Sequence, residues 1–220
     1  MESTANPNVV YYTERIQKEL IDILDDLLFY HDYYNGDTVS RNLEILVSHI
    51  QISEEWKRIL YLQLYWMAIF CLPDDAEDLT VYQQFLRENK KRLLSKNSKL
   101  RDILISWSDI KPGLYRVIKS KDGRGKILLF QDAVSMEIKQ VCFYSKKIST
   151  PKIGELAAGV LIPFDDDTYI TMNELICISD LPETGRDVLL LAQKYFAPGR
   201  EEYSFFGFIH FIEATHMLCK

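Results

Sequence analysis

The chain has 220 residues, with 26 basic and 32 acidic side chains and a formal net charge of −6. This balance excludes a protein that binds nucleic acid through a uniformly basic surface, so any such site has to be local. Hydrophobic residues make up 47% of the sequence and aromatic residues 12%. That composition excludes an unfolded acidic polymer and predicts a folded protein with a sizeable core.

Targeting signals and cysteines indicate the compartment. The first residues lack the basic stretch and apolar run of a secretory signal. The longest apolar run, residues 59–73, is shorter than the roughly 20 residues that cross a bilayer. The four cysteines lie far apart in sequence and form no C-x-x-C pair: Cys71, Cys142, Cys177 and Cys219. We therefore predict a cytoplasmic protein with reduced thiols, without a membrane span and without a cofactor.

Residues 1–107 show the spacing of amphipathic helices. From residue 9 to residue 34, apolar side chains recur three and four positions apart, and Ser53 followed by two glutamates predicts the start of a later helix. Asn35-Gly36-Asp37 predicts a turn between the first two helices. We expect an N-terminal helical bundle with 12 basic and 17 acidic side chains, a net charge of −5.

The pattern changes in residues 108–182, which hold short runs rich in Val, Ile, Leu, Tyr and Phe. Turn signals such as Asp122-Gly123 separate these runs, and Gly159 suits a bent strand. We predict a small antiparallel β-barrel of roughly five or six strands. Residues 183–220 return to helical spacing and are predicted to pack back and complete the core. The predicted fold class is α+β.

A basic cluster lies in the last helical stretch of the N-terminal region. Seven basic residues and one acidic residue fall between Arg87 and Arg101. At 100° per residue, leucines line one side of this helix, and the opposite side holds Arg87, Lys91, Arg92 and Lys99. Such a face binds phosphates by releasing counterions. A solvated face that neutralises acidic neighbours and a face for an acidic protein partner are the alternatives.

A second basic cluster lies on the predicted hairpin at the start of the barrel. Its members are Lys119, Lys121, Arg124 and Lys126. Small barrels bind RNA, DNA or peptides with such loops, beside exposed rings on which bases stack. The aromatic candidates are Tyr115, Phe130, Phe143 and Tyr144, although a barrel core needs aromatic residues too. A solvated hairpin tip is the alternative.

Two further groups are candidate metal sites. Asp165, Asp166 and Asp167 are adjacent, but they lack the spacing of a calcium-binding loop, so we expect a hairpin turn there. His210, Glu213 and His216 have helical spacing near the C-terminus, which puts the first two on one face. A metal or catalytic role for these three competes with a role as polar spacers in a Phe-rich helix. That helix is either core or a docking surface.

One pattern spans the predicted barrel. Trp107 is followed by Lys111-Pro112-Gly113-Leu114-Tyr115-Arg116-Val117, and later by Gly159-Val160-Leu161-Ile162-Pro163-Phe164 and Tyr169. Over residues 107–172 this pattern resembles the small β module of uncharacterised bacterial proteins that also carry a SEC-C metal-binding tail. The resemblance implies a bacterial or phage cytoplasmic protein whose β module mediates interactions. The zinc-binding C-x-C and CC or HC cluster of that tail does not occur in this sequence, so zinc binding is not implied.

These observations predict a non-enzymatic protein-binding or regulatory protein of the cytoplasm, with another protein as its partner. The alternative is a nucleic-acid-binding protein that uses the basic clusters 87–101 and 119–126. The third hypothesis is a metal-dependent or His-based enzyme built on His210, Glu213 and His216. The G-x-S-x-G motif of a serine nucleophile does not occur, which weighs against an enzyme.

Overall fold

The computed structural model describes residues 7–73, 77–95, 97–121, 126–143, 148–178, 182–196 and 205–219. Within these ranges, helices come first, a group of strands follows, and two helices end the chain. The predicted α+β class is confirmed. None of the described helices is long and apolar enough to cross a bilayer.

Side-chain caps mark the start of three of the N-terminal helices. The N-terminal helices are α1 (Pro7–His31), α2 (Asp37–His49), α3 (Glu54–Phe70), α4 (Val81–Glu88), α5 (Lys90–Leu94) and α6 (Ser98–Ser106), and the caps belong to α3, α4 and α6. The Ser53 hydroxyl accepts a hydrogen bond from the Trp56 backbone N–H, as its predicted capping role requires. Thr80 and Gln83 form a reciprocal capping box at the start of α4.

A π-helical segment, Asp32–Gly36, joins α1 to α2 where the sequence predicts a turn. The predicted turn is wrong, because the flanking residues His31 and Asp37 both keep helical backbone angles. The Tyr65 hydroxyl of α3 donates a hydrogen bond to Asp32 Oδ1 at 2.6 Å. A Cβ atom on Gly36 would lie 3.1 Å from the same oxygen, so glycine leaves room for this contact.

Seven strands in the described residues form one curled sheet, a half-barrel. They are β1 (Pro112–Ser120), β2 (Ile127–Asp132), β3 (Ile138–Cys142), β4 (Leu156–Val160), β5 (Ile162–Pro163), β6 (Thr168–Ile170) and β7 (Ile176–Ile178). Their order is β5-β6-β3-β2-β1-β4-β7, and β3 pairs with β6 in parallel while the other pairs are antiparallel. The predicted small antiparallel β-barrel is corrected accordingly. The edge strands β5 and β7 are only two and three residues long and do not pair with each other, so the described sheet stays open.

The two faces of the sheet enter different cores. Leu114 of β1 packs into the larger core, which it shares with the helices, whereas its neighbour Tyr115 packs into a smaller core inside the curl. Alternation along a strand produces this division. The smaller core contains Tyr115, Val117, Leu128, Phe130, Val141, Phe143, Ala157, Leu161 and Leu175.

A buried glutamine connects α3 to the sheet. Gln63 donates to the Glu174 carbonyl oxygen at 2.8 Å and accepts from the Val160 backbone N–H at 2.8 Å. A Cβ atom on Gly159 would lie 2.7 Å from Gln63 Oε1. The glycine therefore lets the helix approach β4 closely enough for both hydrogen bonds.

Trp107 connects the end of the N-terminal helices to the sheet. It lies in a 3₁₀ turn after α6, is fully buried, and donates its indole N–H to the Pro163 carbonyl oxygen at 2.7 Å. Its ring also lies against those of Phe70 and Tyr82. Trp107 and Pro163, two residues of the pattern found in the sequence, are therefore in contact in the structure.

The chain ends in α7 (Pro182–Phe196) and α8 (Phe205–Leu218), which contact each other. Further contacts join α7 to β1 and α8 to α3. Phe205, Phe208 and Phe211 are buried, whereas Phe206 is 56% exposed. The Phe-rich segment therefore serves mainly as core.

Candidate functional site

The most distinctive surface feature is a groove lined by aromatic rings beside the π-helical segment. Its volume is about 410 Å³, and we call it the aromatic groove. Its lining residues are Asp26, Phe29, Tyr30, Tyr33, Tyr34, Phe85, Asn89 and Arg92. The end of α1, the π-helical segment, α4 and α5 all contribute to it, so its walls come from regular structure.

The rings of the groove form a connected series. The Phe85 and Tyr30 centroids lie 5.5 Å apart, those of Tyr30 and Tyr34 lie 4.7 Å apart, and those of Tyr33 and Tyr34 lie 5.0 Å apart. Phe29 is 75% exposed, Tyr33 74% and Tyr34 60%. Large exposed rings that are held in mutual contact are typical of binding surfaces.

The π-helical segment holds the outer rings in place. His31, at the end of α1, is fully buried and lies edge-on against the Tyr65 ring at 5.2 Å. The next residue, Asp32, accepts the hydrogen bond from the Tyr65 hydroxyl. A π turn holds more residues than an α turn and rotates those that follow. With His31 facing the core, Tyr33 and Tyr34 extend into solvent.

Charged groups flank the rings. Arg92 Nη1 lies 2.6 Å from Asp26 Oδ2 on the groove wall, and both side chains are half exposed. Burial, together with a hydrogen bond and the negative charge of Glu88, raises the pKa of Tyr30 to about 12. Tyr30 therefore keeps its phenol proton at neutral pH, and Glu88 accepts it in a hydrogen bond.

The first basic cluster is largely paired with acidic side chains. Arg87 lies 2.5 Å from Glu77, Arg92 lies 2.6 Å from Asp26, and Lys99 lies 2.6 Å from Asp165. Lys91 is exposed on α5. Three of the four residues predicted to contact phosphates therefore neutralise acidic neighbours. This pairing is what the alternative of a solvated, charge-neutralising face requires.

The second basic cluster lies at the end of the first hairpin. Lys119, Lys121 and Lys126 are exposed, and Arg124 lies outside the described residues. Lys121 donates to Gln140 Oε1 at 2.5 Å, and the Gln140 amide donates to the Thr168 hydroxyl at 3.2 Å. A row of polar contacts therefore runs from this cluster toward the loop that holds Asp165.

The predicted base-stacking rings of the sheet are not on its surface. Tyr115, Phe130 and Phe143 are all buried in the smaller core, with Phe130 in contact with both of the others. Tyr144 lies outside the described residues. The three described rings serve as core residues, so the half-barrel offers no stacking platform through them.

The acidic turn meets the basic helix α6 at a polar cavity. The cavity holds about 480 Å³ and is lined by Ser98, Lys99, Asp102, Ile103, Ser106, Pro163, Asp165, Asp166 and Tyr169. Burial opposes ionisation of Asp165, but the hydrogen bonds from Lys99 and from the Asp166 backbone N–H, together with the positive charge of Lys99, outweigh burial and lower the pKa of this carboxyl. This ion pair connects the loop to α6.

The predicted metal residues of α8 do not converge. His210 Nδ1 lies 3.6 Å from Glu213 Oε2, whereas His216 Nε2 accepts a hydrogen bond from the Ser53 backbone N–H at 3.1 Å. Among the described residues, which include all three, no group of three His, Cys, Asp or Glu side chains is placed to hold a metal ion. His216 thus helps to join α8 to the start of α3.

Three of the cysteines have a raised pKa, the opposite of what a nucleophilic thiol needs. Burial raises the pKa of Cys71 and of Cys177 to about 12, and it also raises the pKa of Cys219. A thiol with a raised pKa stays protonated at neutral pH and reacts slowly.

Sequence reasoning missed the aromatic groove. Its signal is the run Phe29-Tyr30-His31-Asp32-Tyr33-Tyr34, in which four rings within six residues exceed what one buried helix face needs. The expected turn after this run concealed the site, because the segment that holds Tyr33 and Tyr34 is helical in the structure.

The chain matches no protein-family model, and no curated protein or solved structure gives a significant match to it. The resemblance of residues 107–172 to the β module of SEC-C-associated proteins therefore stays a prediction.

Proposed function

We propose that this protein is a non-enzymatic binding or regulatory protein of the cytoplasm that engages another protein through the aromatic groove. The observation that supports this proposal is the exposure of Phe29, Tyr33 and Tyr34 around one groove with ordered walls. Aromatic side chains bury 150–250 Å² each and dominate the energetics of protein interfaces. Covering these three rings would therefore supply most of the affinity of a small interface.

The proposal assigns a role to each region of the chain. Residues 1–107 form a helical bundle that presents the groove, residues 108–182 form the β module, and residues 183–220 complete the core. In support, the larger core includes side chains from α3, from β4 and from α8. The groove therefore stands on a framework to which all three regions contribute.

Selection from a random 12-residue peptide display library tests this function. The baits are the wild-type protein, a groove variant with Phe29→Ser, Tyr33→Ser and Tyr34→Ser, and a Phe206→Ser control that removes an exposed ring from α8. Exposed substitutions of this kind cost little stability. We expect peptides enriched on the wild type and on the control but not on the groove variant. Equal enrichment on all three proteins, or on none, contradicts the proposed function.

Nucleic-acid binding is the second candidate, favoured by the contacts that connect the two basic clusters. Lys121 reaches Gln140, Gln140 reaches Thr168, and the loop before Thr168 holds the ion pair of Lys99. Fluorescence anisotropy with mixed DNA and RNA probes tests it at about 50 and 200 mM salt, where a multi-phosphate binder loses affinity by orders of magnitude. Absence of binding at the lower salt concentration eliminates this candidate.

A further inference from the structure

The chain segment that presents the groove is strongly acidic. Between Glu19 and Asp37 the sequence contains six aspartate and glutamate residues and neither lysine nor arginine. Its three exposed rings therefore lie in an acidic segment, beside the pair of opposite charges that lines the groove, Asp26 with Arg92. Such a surface repels phosphate backbones and attracts cationic side chains.

Three acidic side chains and the Phe29 ring share one face of α1. At 100° per residue, Asp22, Asp25, Asp26 and Phe29 fall within a sector of about 100°. All four are exposed, whereas Leu20, which lies on the opposite side of the helix, is fully buried. The face therefore offers carboxylates and an aromatic ring side by side. Ring faces and carboxylates both attract positive charge, so a planar cation is complementary to this face.

A guanidinium group already occupies the rim of the groove. Arg92 lies against Asp26 at 2.6 Å, and both side chains are half exposed, so this pair can separate at little cost. A similar pair joins Arg87 of the neighbouring helix α4 to Glu77 at 2.5 Å, and Arg87 is not among the residues that line the groove. Arg92 therefore shows that the rim accommodates a guanidinium group beside Asp26.

We infer that the aromatic groove takes an arginine-bearing basic segment of a partner protein, with the guanidinium stacked on the exposed tyrosine rings and directed toward Asp26. This inference rests on the proposed function and specifies the partner of the same groove. Arginine fits better than lysine because its planar guanidinium stacks on rings and pairs with carboxylates through several N–H groups. Arg92 then acts as a resident competitor of the incoming arginine.

The test compares three synthetic peptides labelled with fluorescein: four repeats of Gly-Ser-Arg, of Gly-Ser-Lys and of Gly-Ser-Glu. Anisotropy titrations use the full chain at about 50 mM salt. We expect the arginine peptide to bind more tightly than the lysine peptide, and the glutamate peptide not to bind. Loss of the three rings in the groove variant should weaken arginine binding about fivefold or more, since each exposed cation–ring contact contributes a factor of roughly two to five.

Two arginine variants provide the sharper comparison. Arg92→Ala and Arg87→Ala remove the same charge and a similar ion pair, but only Arg92 lines the groove. If Arg92 competes with the incoming arginine, Arg92→Ala binds the arginine peptide about two- to fivefold more tightly than Arg87→Ala does, the range of an exposed ion pair. Equal binding by the two variants, or weaker binding by Arg92→Ala, overturns the inference.

The outcomes separate this inference from the proposed function. Groove-dependent enrichment of library peptides that are not basic supports a peptide-binding groove and overturns the arginine assignment. Equal enrichment on the wild-type and groove-variant baits overturns both. If the groove variant binds the arginine peptide as tightly as the wild type does, the binding is non-specific charge attraction, and the inference is overturned. If light scattering shows that the wild type is a dimer and the groove variant a monomer, a second copy of the chain occupies the groove. That result also overturns the inference.

Discussion

His31 makes the stability of the groove wall depend on pH. Its ring is fully buried next to the π-helical segment, and neither ring nitrogen has a hydrogen-bond partner among the described residues. Burial lowers the pKa of His31, and the negative charge of Asp32 opposes this only in part. The folded protein therefore holds His31 neutral at pH values at which the unfolded chain takes up a proton.

The sign and size of the effect follow from this difference. Above the unfolded pKa of about 6.5 both states are neutral and His31 adds no pH dependence. Below it, only the unfolded chain binds the proton, so stability falls by up to about 1.4 kcal/mol per pH unit until His31 also titrates in the folded state. Between pH 7 and pH 5 the loss amounts to at most about 2 kcal/mol, or roughly 4–8 °C in Tm for a chain of this size.

Urea unfolding at pH 7 and pH 5 measures this loss, with His31→Phe as the test variant. Phenylalanine keeps a ring against Tyr65 and removes both unpartnered nitrogens, so we expect unchanged or higher stability at pH 7 and a smaller loss at pH 5. His210→Gln is the matched control, because it removes an exposed histidine of α8 instead of the buried one. Equal losses in the wild type and in His31→Phe would refute the argument.

Three further predictions concern the framework of the groove. Gln63→Ala leaves two buried backbone groups without partners and should cost about 2–4 kcal/mol in urea unfolding, whereas exposed Gln193→Ala should cost under about 0.5 kcal/mol. Gly159→Ala places a methyl group 2.7 Å from Gln63 Oε1 and should lower the free energy of unfolding by about 1–3 kcal/mol. A variant as stable as the wild type would contradict this close approach. Trp107→Phe removes the indole hydrogen bond to Pro163 and leaves space in the core. We expect thermal melting to show that the free energy of unfolding falls by about 2 kcal/mol. An unchanged Tm would argue against the hydrogen bond.

Local signals in the sequence predicted the elements of the fold well, because caps and apolar spacing act within a few residues. The Ser53 cap and the change to strands after Trp107 are both present in the structure. The closure of the sheet was harder to predict, since it depends on strand order. The sequence contains nothing that reveals the parallel pairing of β3 with β6, which arises from the path of the chain across the sheet.

The pairing of the first basic cluster could not be predicted from the sequence, for an electrostatic reason. A run of positive charge along the sequence says nothing about the acidic side chains that the fold brings beside it. Arg87 is paired with Glu77, ten positions away, but Arg92 and Lys99 are paired with Asp26 and Asp165, each 66 positions away. Long-range pairing of this kind turned most of the predicted contact face into a neutralised one.

The same pairing explains why the candidate site lies where the two signs of charge meet. Arg92 belongs to the basic cluster by sequence, but in the structure it lines the acidic aromatic groove. An arginine held at a half-exposed rim by one carboxylate is only weakly fixed, because water competes for both charges. The groove thus contains a charge that an incoming arginine can displace. A partner that offers only apolar contacts would leave the Arg92–Asp26 pair intact, so the response to Arg92→Ala distinguishes recognition of a cation from simple hydrophobic docking.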